Sequence, residues 1–152
     1  MSVGTESRRV REAPLCAEGF ASLMGVSRET VAKLDAYIAL LETWQRAINL
    51  VGKSTLSDPW RRHILDSAQL CRFLPKAPSG VVDLGSGAGL PGLILAIMTA
   101  AVRVHLVEAD GRKAQFLREA ARRLELANVS VHAVRIESLT LQADVVTARA
   151  LA

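Results

Sequence analysis

The chain has 152 residues and a net charge of +4, a size typical of one domain with its own hydrophobic core. No apolar run approaches the roughly eighteen residues that a membrane span needs, and the N-terminus lacks the apolar segment of a secretory signal. From these features we expect neither an integral membrane protein nor a secreted one. We therefore expect a soluble protein of the cytoplasm.

Cysteine and histidine are too few and too scattered to indicate a metal site or a disulfide framework. Cys16 and Cys71 stand far apart, and the chain has three histidines and no Cys-x-x-Cys pattern. Most of the 19 basic residues are arginine, which binds phosphate groups and stacks on bases better than lysine does. This bias favours a nucleic-acid partner, although a GC-rich genome would give the same composition.

The first part of the chain is predicted to be helical after a disordered arm. Residues 1–12 are polar and charged without periodicity, so we expect them to be disordered. A short helix is predicted over 14–24, started by a proline and ended before a glycine. Ser27 is then a candidate N-cap, and apolar residues spaced three and four apart over 31–48 predict a long amphipathic helix.

A further helix is predicted over 60–73, with Arg62 and His63 near its start. Positive charge at a helix N-terminus opposes the helix dipole, so these side chains require a partner. Asp66 could supply it from the same helix, or the pair could face a phosphate, RNA or an acidic protein. Residues 13–78 are thus expected to form a helical extension in front of the remaining chain.

The remaining residues, 79–152, alternate between strand and helix patterns. Strands are predicted at 81–84, 103–108, 128–134 and 143–147, and helices at 93–100 and 112–124. This order indicates an α/β, Rossmann-like fold with a parallel sheet and right-handed crossovers. We expect the sheet to be incomplete at the C-terminus of the chain, which leaves an apolar edge that could pair with another copy.

A glycine-rich run follows the first predicted strand: Asp83-Leu84-Gly85-Ser86-Gly87-Ala88-Gly89-Leu90-Pro91-Gly92. Glycine lets the backbone turn sharply and approach a ligand closely, and the helix that follows favours a negative group. The run lacks the Gly-x-Gly-x-x-Gly of a dinucleotide site and the Gly-Lys-Ser/Thr of a P-loop, which disfavours a nicotinamide dehydrogenase. It resembles the S-adenosylmethionine loop of Rossmann-like methyltransferases, in which the backbone faces the methionine carboxylate. The alternative is a glycine-rich turn that binds nothing.

Glu108 ends the second predicted strand, roughly twenty residues after the glycine-rich run. Ligands of open α/β sheets bind at the carboxyl ends of the strands, where an acid at this spacing can accept hydrogen bonds from both ribose hydroxyls of a nucleoside. Glu108 could instead cap the next helix, although Asp110 could do so itself.

Five segments together carry a resemblance to one family: Asn49-Leu50, Arg62-His63-Ile64-Leu65-Asp66-Ser67, the glycine-rich run, Arg135-Ile136-Glu137 and Thr147-Ala148-Arg149-Ala150. They resemble the ribosomal RNA small subunit methyltransferase G family, also called glucose-inhibited division protein B, from about residue 31 onward. The Leu-Pro-Gly end of the loop and the Arg-Ala pair after the fourth strand are specific to this resemblance.

The resemblance implies methyl transfer from S-adenosylmethionine to N7 of a guanine in the 530 loop of 16S rRNA, within the small ribosomal subunit. Arg149 would be the catalytic residue. The cofactor-binding residues would be Asp83, Gly85, Gly87, Gly89, Leu90, Glu108, Ile136, Glu137 and Arg149. A wall between the helices and the pocket, facing the RNA, would comprise Asn49, Arg62, His63 and Asp66.

The family pattern also implies further elements beyond residue 152. We expect a monomer when those elements are present, and neither a metal nor a membrane as partner. Guanine N7 carries an exposed lone pair, so the reaction needs no base to remove a proton. The alternative function is a catalytically inactive module that binds S-adenosylmethionine or RNA.

Overall fold

The computed structural model describes residues 13–76 and 80–149. Helices α1 (Ala17–Met24) and α2 (Arg28–Gln45) come first, followed by a 3-10 turn, Lys53–Ser57. A second helical segment has three parts: a π-helical turn (Trp60–Leu65), α3 (Asp66–Ala68) and a 3-10 turn (Gln69–Phe73). The α/β part comprises β1 (Gly80–Leu84), α4 (Gly92–Met98), β2 (Arg103–Val107), α5 (Gly111–Arg123), β3 (Val129–His132), a 3-10 turn (Ile136–Ser138) and β4 (Val145–Ala148). The predicted arm over 1–12 lies outside the described residues.

The four strands form one parallel sheet in the order β3-β2-β1-β4. Asp83 at the centre of the sheet lies opposite Leu106 of β2 and Thr147 of β4. Because every crossover runs between parallel strands, the carboxyl ends of all four strands meet at one edge. The predicted α/β, Rossmann-like fold is confirmed.

One hydrophobic core joins the N-terminal helices to the sheet. It contains fully buried side chains from both parts of the chain, including Phe20, Leu34, Tyr37, Ile64, Leu93 and Phe116. The Trp44 ring meets Phe116 of α5 edge-on at 5.7 Å between ring centroids. The helical extension and the sheet therefore share buried surface, so α2 can influence the edge where the strands end.

Several predicted boundaries differ from the structure for local reasons. The first helix begins at Ala17 rather than at residue 14, because the Cys16 sulfur accepts a hydrogen bond from the amide of Gly19 at 3.3 Å. Ser27 is confirmed as the N-cap of α2. That helix ends at Gln45, whose side-chain oxygen accepts hydrogen bonds at 3.0 Å from the amides of Leu50 and Val51. The Gln45 side chain thus holds the connection after α2.

Across residues 13–76 and 80–149, none of the helices combines the length and apolar character that crossing a membrane requires. The same residues contain no cluster of three or more histidine, cysteine, aspartate or glutamate side chains suited to a metal ion.

Candidate cofactor and substrate site

The glycine-rich run forms a tight loop between β1 and α4. The Ser86 amide donates to the carbonyl of Val107 at 3.0 Å, and the Ser86 hydroxyl donates to the carbonyl of Asp83 at 2.9 Å. Gly87 has φ +55°, a conformation that strains residues with a side chain. A Cβ at Gly87 would meet no atom closer than the Gly85 carbonyl oxygen at 3.9 Å. The space over this backbone is therefore open, as a close ligand contact requires.

Tyr37 of α2 fixes the loop from the other side. Its buried hydroxyl donates a hydrogen bond to the carbonyl of Ala88 at 2.8 Å. Burial raises the pKa of the Tyr37 hydroxyl, so it keeps its proton and remains a donor. The N-terminal helices thus set the position of the loop.

Two adjoining cavities open at the carboxyl ends of the strands. The larger has a volume of about 540 Å³ and is lined by the loop (Gly85, Ser86, Gly87, Ala88, Leu90), by Leu50, Val51, Gly52, Thr55 and His63, and by Glu108, Lys113 and Arg149. The smaller, about 220 Å³, is lined by Gly85, Val107, Glu108, Ala109, Val134, Arg135, Ile136 and Glu137. Gly85 and Glu108 line both, so the two spaces adjoin at these residues. We name the larger one the loop cavity.

Glu108 is free to face a ligand because another residue caps α5. The Asp110 carboxylate accepts hydrogen bonds from the amides of Arg112 at 2.9 Å and Lys113 at 3.2 Å. The alternative interpretation of Glu108 as the cap is therefore wrong. Glu108 stands where the loop cavity and the smaller cavity meet.

Arg149 follows β4 and joins the loop cavity to the second helical segment. Its guanidinium Nη2 lies 3.2 Å from the Asp66 carboxylate and donates to the carbonyl of Arg62 at 3.4 Å. Asp66 thus pairs with Arg149, 83 positions later, rather than with Arg62 or His63 within its own segment. The Arg62 side chain does not line the cavity; its backbone contributes to holding Arg149.

His63 and Asn49 occupy different environments. His63 is 4% exposed, lines the loop cavity and lies with Nε2 2.7 Å from the Thr55 hydroxyl. Asn49 is exposed and accepts a hydrogen bond from Gln45, while its neighbours Leu50 and Val51 line the cavity instead. Of the four predicted wall residues, only His63 therefore lines the cavity.

Asp83 at the end of β1 and Gly89 within the loop are not among the residues that line either cavity. Asp83 is 1% exposed and accepts a hydrogen bond from the Thr147 hydroxyl at 2.8 Å, which ties β1 to β4. Burial raises the pKa of its carboxyl group. At Gly89, φ is +83° and a Cβ would overlap the Leu93 side chain, so this glycine lets α4 approach. Asp83 thus supports the loop from below, and Gly89 allows the loop to pack closely against α4.

Thr55 and Lys113 line the loop cavity and Gln45 supports it, yet the sequence predicted a role for none of them. Thr55 lies in a polar stretch without periodicity, and Lys113 reads as one charge of a basic helix. Gln45 has the spacing of a helix-end residue four positions before Asn49, and this was the one available indication of its role.

The family model described as rRNA small subunit methyltransferase G matches residues 30–152. The chain belongs to this family. A relative of that name from Rhodospirillum rubrum is 60% identical over 136 residues, covering 89% of this chain and 67% of the relative. The relative from Rhodospirillum centenum is 56% identical over 137 residues, covering 90% and 62%. The chain thus spans about two thirds of the length of these rRNA small subunit methyltransferase G relatives.

Solved methyltransferases share the fold of this family member. Coclaurine N-methyltransferase, bound to N-methylheliamine and SAH, is 19% identical with a TM-score of 0.54, over 88% of this chain and 49% of that one. A SAM-dependent methyltransferase from Aquifex aeolicus is 25% identical with a TM-score of 0.51, over 62% and 53%. These matches support the Rossmann-like assignment.

Proposed function

We propose that this chain transfers a methyl group from S-adenosylmethionine to N7 of a guanine in the 530 loop of 16S rRNA. One observation carries the proposal: the open loop around Gly87, Glu108 and Arg149 border a single cavity at the strand ends. This is the edge at which open α/β sheets bind their ligands. The relatives from Rhodospirillum carry the name of a ribosomal RNA methyltransferase, in agreement with this reading.

The two adjoining cavities suit the two ends of the cofactor. The backbone of Gly85 and Gly87 would face the methionine part, and Glu108 would accept the ribose hydroxyls. Ile136 and Glu137, on the smaller cavity, would lie against the adenine. The open space over Gly87 fits a group that a side chain there would exclude. When bound, S-adenosylmethionine supplies an electrophilic methyl group on a sulfonium.

The protein's contribution to the reaction is positioning. Guanine N7 has a lone pair ready to attack, so no side chain has to remove a proton. Arg149 would orient the base or its phosphate from a position held by Asp66 and by the Arg62 carbonyl. Alignment of two reactants can supply much of the rate enhancement.

The substrate in this proposal is the small ribosomal subunit, which sets the cytoplasm as the place of action. We also propose that the chain self-associates through β4, which is an edge strand of the described sheet and leaves Val146 61% exposed. Sedimentation of the wild type and of Val146→Lys tests this second point. A monomer in both cases would contradict it.

The proposed reaction is tested with small subunits that lack the modification. Wild-type protein should transfer the methyl group to N7 of one guanine, identified by mapping the modified base. Arg149→Ala should lower the transfer rate by more than it lowers cofactor affinity, whereas Arg118→Ala, an exposed change on α5, should alter neither. Cofactor binding by the wild type without transfer would favour the inactive binding module instead.

A further inference from the structure

The tautomer of His63 is set by the Thr55 hydroxyl. Thr55 Oγ1 lies 2.5 Å from the Gly52 carbonyl oxygen and 2.7 Å from His63 Nε2. A carbonyl oxygen can only accept, so the single hydroxyl proton is directed to Gly52. The hydroxyl oxygen must then accept from His63, which places the ring proton on Nε2. His63 Nδ1 therefore carries a lone pair and no proton.

His63 is held neutral as well as oriented. Burial, and after it the positive charges of the nearby Arg149 and Arg62, together lower the pKa of its imidazole to about 4. The ring is thus uncharged at physiological pH. Its Nδ1 is a buried acceptor that has no partner among the described residues. A buried acceptor without a donor costs free energy, so a ligand that supplies one gains affinity.

The local backbone places this acceptor beside a donor. His63 lies in the π-helical turn Trp60–Leu65, a form of helix often found at functional sites. Arg149 donates to the carbonyl of the preceding residue, Arg62, and both His63 and Arg149 line the loop cavity. A neutral ring with a buried acceptor and a cationic donor therefore border the same cavity.

We propose that His63 and Arg149 select guanine at this site: His63 Nδ1 accepts a hydrogen bond from guanine N1–H while Arg149 donates to O6. The proposal rests on the proposed function and names the residues that determine its base specificity. A single contact from Arg149 to O6 leaves N7 free for the methyl group. The bidentate contact to O6 and N7 that arginine often makes with guanine would block it.

Adenine presents the reverse pattern to the same two residues. It has an amino donor in place of O6 and an unprotonated acceptor at N1. Arg149 would then face a donor and His63 Nδ1 would face an acceptor, so both contacts would be lost. A site that hydrogen-bonds its substrate rejects an analogue that leaves those groups unpaired, by factors that reach about 10⁴.

His63 Nδ1 has almost no exposed surface, so a base reaches it when a neighbouring side chain moves. Arg149 is suited to that movement because its side chain is 40% exposed and its partner Asp66 is 60% exposed. Exposed ion pairs contribute little free energy, and a phosphate or base can displace the carboxylate.

The test compares methyl transfer to small subunits reconstituted with guanosine, inosine or adenosine at the target position. Inosine keeps both N1–H and O6 and is the positive control. The proteins are wild type, His63→Phe, which keeps a ring and removes the acceptor, His63→Asn, which restores an amide oxygen, and His105→Ala, a histidine change outside the site. We measure kcat/KM for each base and cofactor affinity by calorimetry.

Wild type and His105→Ala should use guanosine and inosine alike and reject adenosine by at least about 10²-fold. His63→Phe should lower the guanosine-to-adenosine ratio by at least about tenfold with cofactor affinity unchanged, and His63→Asn should restore part of it. An unchanged ratio in His63→Phe would overturn the inference while leaving the proposed function intact. Absence of transfer by the wild type would overturn both.

If circular dichroism shows that His63→Phe does not fold, Thr55→Val provides the test instead. This variant removes the hydroxyl that fixes the His63 tautomer, so it should also lower the guanosine-to-adenosine ratio. An unchanged ratio in Thr55→Val would again overturn the inference.

Discussion

The two walls of the loop cavity are built from different materials. One wall is the backbone of a single run, Gly85 to Leu90, which Ser86 holds to the strand ends by hydrogen bonds of 2.9 and 3.0 Å. The opposite wall, with Thr55, His63 and Arg149, consists of side chains from three separate segments. The backbone wall leaves room for a ligand because it carries no side chains at its glycines. The side-chain wall contacts a ligand through particular side-chain atoms. Adding a side chain should therefore abolish ligand binding at the backbone wall, and removing side-chain atoms should weaken it at the side-chain wall.

The largest expected effect comes from adding a side chain to the backbone wall. Gly87→Val places a branched side chain where the cofactor's methionine part would lie, at a residue with φ +55°. Binding of S-adenosylmethionine should fall below detection by calorimetry while the fold persists. Gly111→Val is the matched control, since a Cβ there meets no atom within 4 Å. Unchanged cofactor affinity in Gly87→Val would show that the loop does not bind the cofactor.

The stability of the protein should depend on pH through His63 of the side-chain wall. Its pKa is lowered from 6.5 to about 4, so the unfolded chain takes up the proton first as pH falls. The neutral ring makes its full contribution to the free energy of unfolding above about pH 6.5. This contribution is lost progressively toward pH 4, by up to about 3 kcal/mol. Urea unfolding at pH 7 and pH 4 measures the loss. His63→Phe should reduce it, and equal losses in both proteins would contradict the buried neutral state.

Glu108 joins the two cavities, and removing its carboxylate should weaken cofactor binding. Glu108→Ala should cost about 1.5 to 3 kcal/mol, the usual value of hydrogen bonds to a charged group. Asp110→Ala is the contrasting variant: it removes the helix cap, so it should lower the melting temperature while cofactor affinity is kept. Calorimetry and thermal unfolding of both variants distinguish the roles. Lower stability with normal binding in Glu108→Ala would argue against the ribose contact.

The smallest expected effect comes from the tie between α2 and the backbone wall. Tyr37→Phe leaves the buried Ala88 carbonyl without its donor and should destabilise the protein by about 1 kcal/mol. Cofactor affinity should fall slightly, because the loop loses its anchor. Thermal unfolding and calorimetry measure the two effects. A melting temperature equal to that of the wild type would mean that the loop is held by its own hydrogen bonds alone.

Local sequence patterns were sufficient to predict the helices and strands and the backbone wall of the cavity. Ser27 was predicted as the cap of α2, and the glycine-rich run was predicted to lie between a strand and a helix, because both depend on residues close in sequence. Helix ends were harder. The Cys16 sulfur and the Gln45 side chain supply hydrogen bonds that no general preference indicates, and they moved two boundaries by three residues each.

The sequence by itself determined the parallel α/β class, the open loop at Gly87 and the acid after β2, since each follows from periodicity or spacing within one short segment. Tertiary structure alone decided that Arg149 pairs with Asp66, that Thr55 sets the tautomer of His63, and that Asp83 supports the loop from below. Such contacts join segments as many as 87 positions apart, and their geometry depends on how the helices pack against the sheet. Pairing across that separation is an outcome of the whole core and has no local signature.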